Sequence, residues 1–452
     1  METVDYIQRD INSIWHPYTQ MKDLEKFPPV LIEKAIGAKL FASDGKFYYD
    51  TISSWWCNIH GHCHPGVMGA IREQTEKLDH VIFAGFTHAP AIELAEELLK
   101  IAPRNLKKVF FSDNGSTAVE VAMKMSFQYW KNIGLPEKEN FLSLDSAYHG
   151  DTIGAMSVSG NSIFNNIFKP LLFGSFKAKT PYCYRCPFSK KYGECSFECL
   201  KDAENIIKLH FRKIAAVILE PMVLCAGGMI VYPKEYLKGI EELCRKYDIH
   251  LIADEVATGF ARTGKMFAVN HAEVNPDFMC LSKGITSGSL SLGATLTTPK
   301  IFNAFYDDYE KMKTFYHGHT HTANPIACSS AVKSIKLFSE ENTLKKIERI
   351  NRKMSVFLSN VKKMISIVGD TREIGLIGAI ELVKNRNTKE HFLFEERIGF
   401  KIYNMGLEKN ILLRPLGNVI YFFLPACLED DELDYIFSAS YDILSAIEIR
   451  NK

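Results

Sequence analysis

Between about residue 65 and residue 330, short apolar runs alternate with amphipathic stretches, and this alternation most narrows the folds open to the chain. Val109-Phe110-Phe111 is followed by a segment of helical period from Thr117 to Trp130. Ala215 to Leu219 reads as a strand that stops at Glu220-Pro221. Pro233 to Tyr247 reads as a helix with proline in its first turn, leading into a strand, Ile249 to Ala253, that stops at Asp254. Strands alternating with helices predict an α/β fold built on a doubly wound, mostly parallel sheet, here in a large domain over residues 61–330. With 452 residues the chain is long enough for a second core. After residue 330 a long helical run precedes strands at Gly378–Val383 and Val419–Leu424 and a helix at Ile398–Leu407. These predict a smaller α/β domain over residues 331–452, with residues 1–60 packing onto it.

Composition removes several function classes. A formal net charge of +1 without a dominant basic block gives no footing for nucleic acid or an acidic membrane surface. No stretch approaches the ~20 apolar residues that cross a bilayer. Met1-Glu2-Thr3-Val4-Asp5 carries two acids and lacks the apolar core of a secretory signal, so the expectation is a cytoplasmic protein acting on small molecules.

Two strand ends carry the chemistry. Phe278-Met279-Cys280 runs into Leu281-Ser282-Lys283-Gly284, so one strand delivers an amine into a glycine-containing turn. The strand before Asp254 delivers a carboxylate into a similar turn. An amine nucleophile beside a fixed negative charge is what pyridoxal 5′-phosphate requires: a lysine for the Schiff base and an acid for the pyridinium nitrogen. Ser112-Asp113-Asn114-Gly115-Ser116-Thr117 follows a strand and opens a helix, which suits either a phosphate cradle or an ordinary capped helix start. Ala147-Tyr148-His149-Gly150-Asp151-Thr152 sets an aromatic beside a glycine turn, where it can stack on a flat cofactor or pack in a core. Trp55-Trp56 and Trp15-His16-Pro17-Tyr18 are further aromatic concentrations, fit to wall a pocket or to fill an interface.

Cysteine and histidine raise the question of metals. Cys183, Cys186, Cys195 and Cys199 form two close pairs that fit either a structural zinc site pinning a long loop or four reduced thiols in an insertion. His60-Gly61-His62-Cys63-His64 and His317-Gly318-His319-Thr320-His321 lack a carboxylate at ligand spacing, and their glycines point to tight turns instead. No catalytic metal is therefore expected.

The run from Ile252 to Gly264, Ile-Ala-Asp-Glu-Val-Ala-Thr-Gly-Phe-Ala-Arg-Thr-Gly, followed by Leu281-Ser282-Lys283-Gly284, resembles the class III aminotransferases of the fold type I pyridoxal-phosphate enzymes. Ile14-Trp15-His16-Pro17-Tyr18-Thr19, Ser53-Ser54-Trp55-Trp56 and Phe86-Thr87-His88-Ala89-Pro90 are similar to the branch that aminates 8-amino-7-oxononanoate on the way to biotin. The similarity runs over nearly the whole chain.

The resemblance implies Lys283 as Schiff-base lysine and proton carrier, Asp254 as partner of the pyridinium nitrogen, and Tyr148 stacked on the ring. It implies Gly115 and Ser116 on the phosphate, with His319 and Thr320 reaching the same phosphate from the neighbouring subunit of a homodimer. Tyr18, Trp55 and Gly318 would line the substrate pocket, Arg414 would clamp the acceptor carboxylate and Arg262 would shape donor recognition. Glu220 and Asp151 would support these groups. The implied donor is S-adenosyl-L-methionine. His319-Thr320-His321 departs from the proline and aromatic usual in that branch, which keeps lysine as an alternative donor and another ω-aminotransferase reaction on a diamine or ω-amino acid as an alternative activity.

Overall fold

The computed structural model describes residues 3–450. Near the start of the chain come β1 (Ile32–Ile36), β2 (Lys39–Ala42) and β3 (Phe47–Asp50), joined antiparallel. The alternating stretch then gives β4 (Lys108–Ser112), β5 (Asn140–Leu144), β6 (Phe176–Ala178) and β7 (Ile214–Leu219). A two-stranded pair, β8 (Val223–Leu224) and β9 (Ile230–Val231), separates these from β10 (His250–Asp254), β11 (Phe278–Leu281) and β12 (Gly293–Thr297). The last part of the chain contributes β13 (Val368–Ile374), β14 (Ile377–Leu382), β15 (Ile411–Leu412) and β16 (Val419–Phe423).

The central sheet has seven strands in the order β4-β12-β11-β10-β7-β5-β6. Every pairing in it is parallel except those of β12, which runs against both β11 and β4. Helices on both faces explain why β7, Ile-Ala-Ala-Val-Ile-Leu, is apolar throughout and wholly buried. The helix Lys234–Lys246 shows how a covering element is encoded. Tyr236, Leu237, Ile240, Leu243 and Cys244 are buried on one face, Pro233 sits at its N-cap, and Arg245 and Lys246 meet the negative end of its dipole.

Because β12 is the one reversed strand, β4, β11, β10, β7 and β5 all end at the same edge. The turns that follow them carry Gly115, Lys283, Asp254, Glu220 and Tyr148. Side chains gather where parallel strands end because each crossover must begin there.

A second sheet ties the two ends of the chain together. β15 pairs parallel with β3, matching Ile411 to Tyr49 and Leu412 to Asp50, in a four-stranded sheet ordered β1-β2-β3-β15. Parallel pairing sends the segments after Asp50 and after Leu412 to the same side, so Trp55 and Arg414 arrive together. A three-stranded antiparallel sheet, β13-β14-β16, packs against the long helix Thr343–Met364.

Candidate active site

Asp254 ends β10 and is buried, and both of its oxygens are engaged. Oδ2 lies 2.7 Å from His149 Nδ1, and Oδ1 accepts the Val256 amide at 3.1 Å. The other histidine nitrogen, Nε2, is buried without a hydrogen-bond partner among the described residues. Strand alternation turns Glu255 the opposite way, where it accepts the amides of Ala268 and Val269. Only the first acid of Asp254-Glu255 therefore faces the site.

Lys283 follows β11, with φ +43°, and its Nζ sits 4.9 Å from the centre of the Trp56 ring. Beside it, the helix Gly115–Asn132 starts with Asn114 as cap. The Asn114 side chain accepts the Thr117 amide at 3.1 Å, and the first intrahelical bond runs from the Ala118 amide to the Asn114 carbonyl. The Gly115 and Ser116 amides precede both bonds and form the positive end of the helix. A side chain at Gly115 would lie 2.5 Å from Val256 Cγ1, and one at Gly150 would lie 2.1 Å from Ser116 Oγ.

Glu220 is buried behind these groups and accepts the Tyr148 amide at 3.0 Å and the Cys225 amide at 2.9 Å. Burial pushes its carboxyl up to about 8 and the Asp254 charge adds to the rise, while the two amides and Lys283 oppose it. Burial also raises the Tyr148 phenol. Lys283, Asp254, Tyr148, Gly115, Ser116 and Trp55 all line one cavity of about 660 Å³.

The outer wall is built differently. Ser53 to Trp56 is a turn of left-handed backbone, with φ of +49°, +44°, +74° and +74° and no glycine. Each such residue costs roughly 1–2 kcal/mol, so neighbouring groups must hold it. Trp55 projects from this turn, with Tyr18 edge-on at 5.6 Å and the Arg414 guanidinium 4.5 Å from its ring centre. Tyr18 donates its hydroxyl to the Asp151 carboxylate at 2.7 Å, and burial with that neighbour pushes its phenol up to about 12. Tyr18 and Arg414 line a second cavity of about 560 Å³.

Other expected residues lie elsewhere. Arg262 lines neither cavity and is 1% exposed. Its guanidinium donates to Ser53 Oγ at 3.1 Å and the Leu424 carbonyl at 2.9 Å, beneath the left-handed turn. Gly318 and Thr320 are exposed outside both cavities, and His319 Nδ1 lies 2.8 Å from Asp113 Oδ2 of the same chain. Cys183, Cys186, Cys195 and Cys199 border one cavity of about 30 Å³ as free thiols. Among the described residues no three Cys, His, Asp or Glu side chains are gathered as a metal's ligands. Charges anchor the insertion, with Arg185 on Glu381 at 2.5 Å, joined there by the Tyr182 hydroxyl. The histidine clusters serve turns and caps: His64 Nδ1 accepts the Gly66 amide at a helix start, and His60 bonds the Ser334 carbonyl.

Sequence reasoning gave no role to His149 or Asp50. His149 stood beside Tyr148 in the quoted motif, but its partner lies 105 residues away. Asp50 left no signal beyond ending a strand.

This fold and this site define a class. The aminotransferase class III family model matches residues 20–444, and the chain belongs to that family. Its cofactor is pyridoxal 5′-phosphate. Among individual relatives, the chain is 46% identical over 430 residues to the adenosylmethionine-8-amino-7-oxononanoate aminotransferase of Geobacter sulfurreducens, covering 94% of each. The enzyme of that name from Methanocaldococcus jannaschii is 40% identical over 453 residues, covering 97% of this chain and 98% of the relative. The crystal structure of the M. jannaschii enzyme aligns with a TM-score of 0.93 at 38% identity, covering 98% and 99% of the two chains. The omega transaminase of Pseudomonas jessenii in complex with PMP aligns at 0.93 with 29% identity, covering 98% of both.

The residues present fit the cofactor. A buried aspartate is held by a histidine at its back, a helix start is closed to any side chain larger than glycine, and a lysine borders the same cavity.

Proposed function

We propose that this chain transfers an amino group from S-adenosyl-L-methionine to the 7-keto group of 8-amino-7-oxononanoate, giving 7,8-diaminononanoate for biotin synthesis. The observation that carries the reading is the wall made by Trp55, which lines the Lys283 cavity, with Tyr18 and Arg414, which pack on Trp55 and line the neighbouring cavity. A long acceptor with a terminal carboxylate needs an apolar face ended by a cation, and a guanidinium can meet a carboxylate with two parallel bonds. Relatives named for this acceptor and this donor support the reading over nearly the full chain. Lysine as donor is not favoured, since the relatives carry the adenosylmethionine name.

Pyridoxal phosphate, when bound, supplies an electron sink and carries the amino group between the two substrates. Lys283 is the amine that holds it at rest and the base that moves a proton to and from the substrate carbon. Asp254 would be the acidic partner of the ring nitrogen. The Gly115 and Ser116 amides would hold the phosphate, and Tyr148 would offer an aromatic face to the ring. Arg262 acts from below, through the Ser53–Trp56 turn.

The same reading makes the enzyme a homodimer in which His319 and Thr320 reach the partner's phosphate. The exposed apolar side chains Ile82, Phe86, Tyr309 and Tyr316 support an interface. It also places residues 61–330 in a cofactor domain and residues 1–60 with 331–452 in a smaller one, supported by the β3–β15 pairing. No described helix is long and apolar enough to cross a membrane, and the reading puts the enzyme in the cytoplasm. The test is a donor screen with 8-amino-7-oxononanoate, reading diamine product by mass spectrometry. S-adenosylmethionine should support turnover and lysine should not; the reverse would overturn the donor assignment.

A further inference from the structure

We propose that Asp50 is a positioning residue that sets acceptor selectivity by clamping the left-handed turn that carries Trp55, an inference that rests on the acceptor reading above. Asp50 ends β3, is 1% exposed and lines neither cavity. Its Oδ1 accepts the Ser54 amide at 2.9 Å and the Ile52 amide at 3.3 Å. Its Oδ2 accepts the Ser54 hydroxyl at 2.8 Å and lies 2.8 Å from His62 Nε2.

The rest of the turn is fixed by other means. The Ser53 hydroxyl donates to the Phe423 carbonyl at 2.6 Å, and the Trp56 indole N–H donates to the Tyr421 hydroxyl at 3.2 Å. Ser54 and Trp55 are exposed, and the Ser54 amide and hydroxyl both find their acceptor in Asp50. A serine stays at φ +44° only when its surroundings enforce it. Asp50 supplies that enforcement, and the orientation of the Trp55 ring over Arg414 follows from it. Asp254, Lys283 and Gly115 hang from the other sheet, and Lys283 meets the turn at the Trp56 ring, whose indole is tied to Tyr421 rather than to Asp50.

The test uses the holoenzyme. Asp50→Asn keeps the shape but replaces one accepting oxygen with a donor that opposes the Ser54 and His62 donors. It should raise KM for 8-amino-7-oxononanoate by about tenfold, while the donor half-reaction, followed by the cofactor's absorbance change on adding S-adenosylmethionine, stays within about twofold. Hydrogen exchange in a peptide covering residues 51–57 should quicken by about tenfold with the other peptides unchanged. Adding Ser54→Gly should bring KM back to within about threefold of wild type, because glycine holds a positive φ without help. Equal loss in both half-reactions, an unchanged KM, or no rescue by glycine would each overturn the proposal. Should Asp50→Asn fail to fold, His62→Gln should give the same split at about threefold, and an unsplit effect there refutes the clamp. A wild-type enzyme that leaves 8-amino-7-oxononanoate unaminated would instead overturn the functional reading, and the exchange measurement would still decide the clamp.

Discussion

The cofactor edge and the acceptor wall meet in one active site but are held by different physics. At the edge, five strand ends of the central sheet each deliver one group, and the acids find their partners locally: Asp254 in His149 and an amide, Glu220 in two amides. The wall depends on backbone strain, a non-glycine left-handed turn whose indole is wedged between a tyrosine and an arginine. The edge is therefore rigid by topology and general to the chemistry. The wall is rigid only by its neighbours, and the proposed function assigns it to the acceptor.

Substitutions at the two places should separate accordingly. Lys283→Ala removes the amine on which both half-reactions depend, and turnover should fall by at least about ten-thousandfold with loss of the yellow cofactor band. Residual activity near wild type would remove Lys283 from its role. Asp254→Asn leaves the fold but removes the charge, and kcat/KM should drop about a thousandfold for donor and acceptor alike. A loss confined to one substrate would contradict a cofactor-side role.

Arg414→Ala should act on the wall alone, raising KM for the acceptor about thirtyfold with cofactor affinity unchanged. Equal loss of cofactor binding, measured by titrating the apoenzyme, would erase the distinction between the two regions.

A further effect, on stability rather than turnover, lies outside both regions. Burial lowers His60 from 6.5 to about 4, so the unfolded chain binds a proton in that window that the folded chain refuses. Its contribution to stability is present above pH ~6.5 and is lost as pH falls towards 4, by roughly 2–4 kcal/mol. His60→Gln should flatten that part of a melting-temperature profile. An unchanged slope would show that His60 titrates in its folded place.

What the sequence disclosed follows the same division. Lys283, Asp254, Gly115 and Ser116 were legible because each sits within a few residues of the strand that carries it. The predicted strand at Ala215–Leu219 differs from the structure by one residue at its start, and the helix at Pro233–Tyr247 by one residue at each end. The reversal of β12 was not legible, since an apolar run carries no sign of direction. His149, Asp50 and the placement of Arg262 under the turn were hidden for a related reason. Their partners are distant in sequence and become neighbours only when the sheets form.

The pairing of β3 with β15 also orders events in time. A chain leaving the ribosome has emitted every strand of the cofactor sheet once Thr297 appears. The acceptor wall must wait for Ile411 and Leu412, since the Thr51 hydroxyl closes onto the Leu412 carbonyl across 361 residues. Synthesis thus passes through a stage at which the sheet that carries Lys283 can be complete while the wall proposed to choose the acceptor is still unmade.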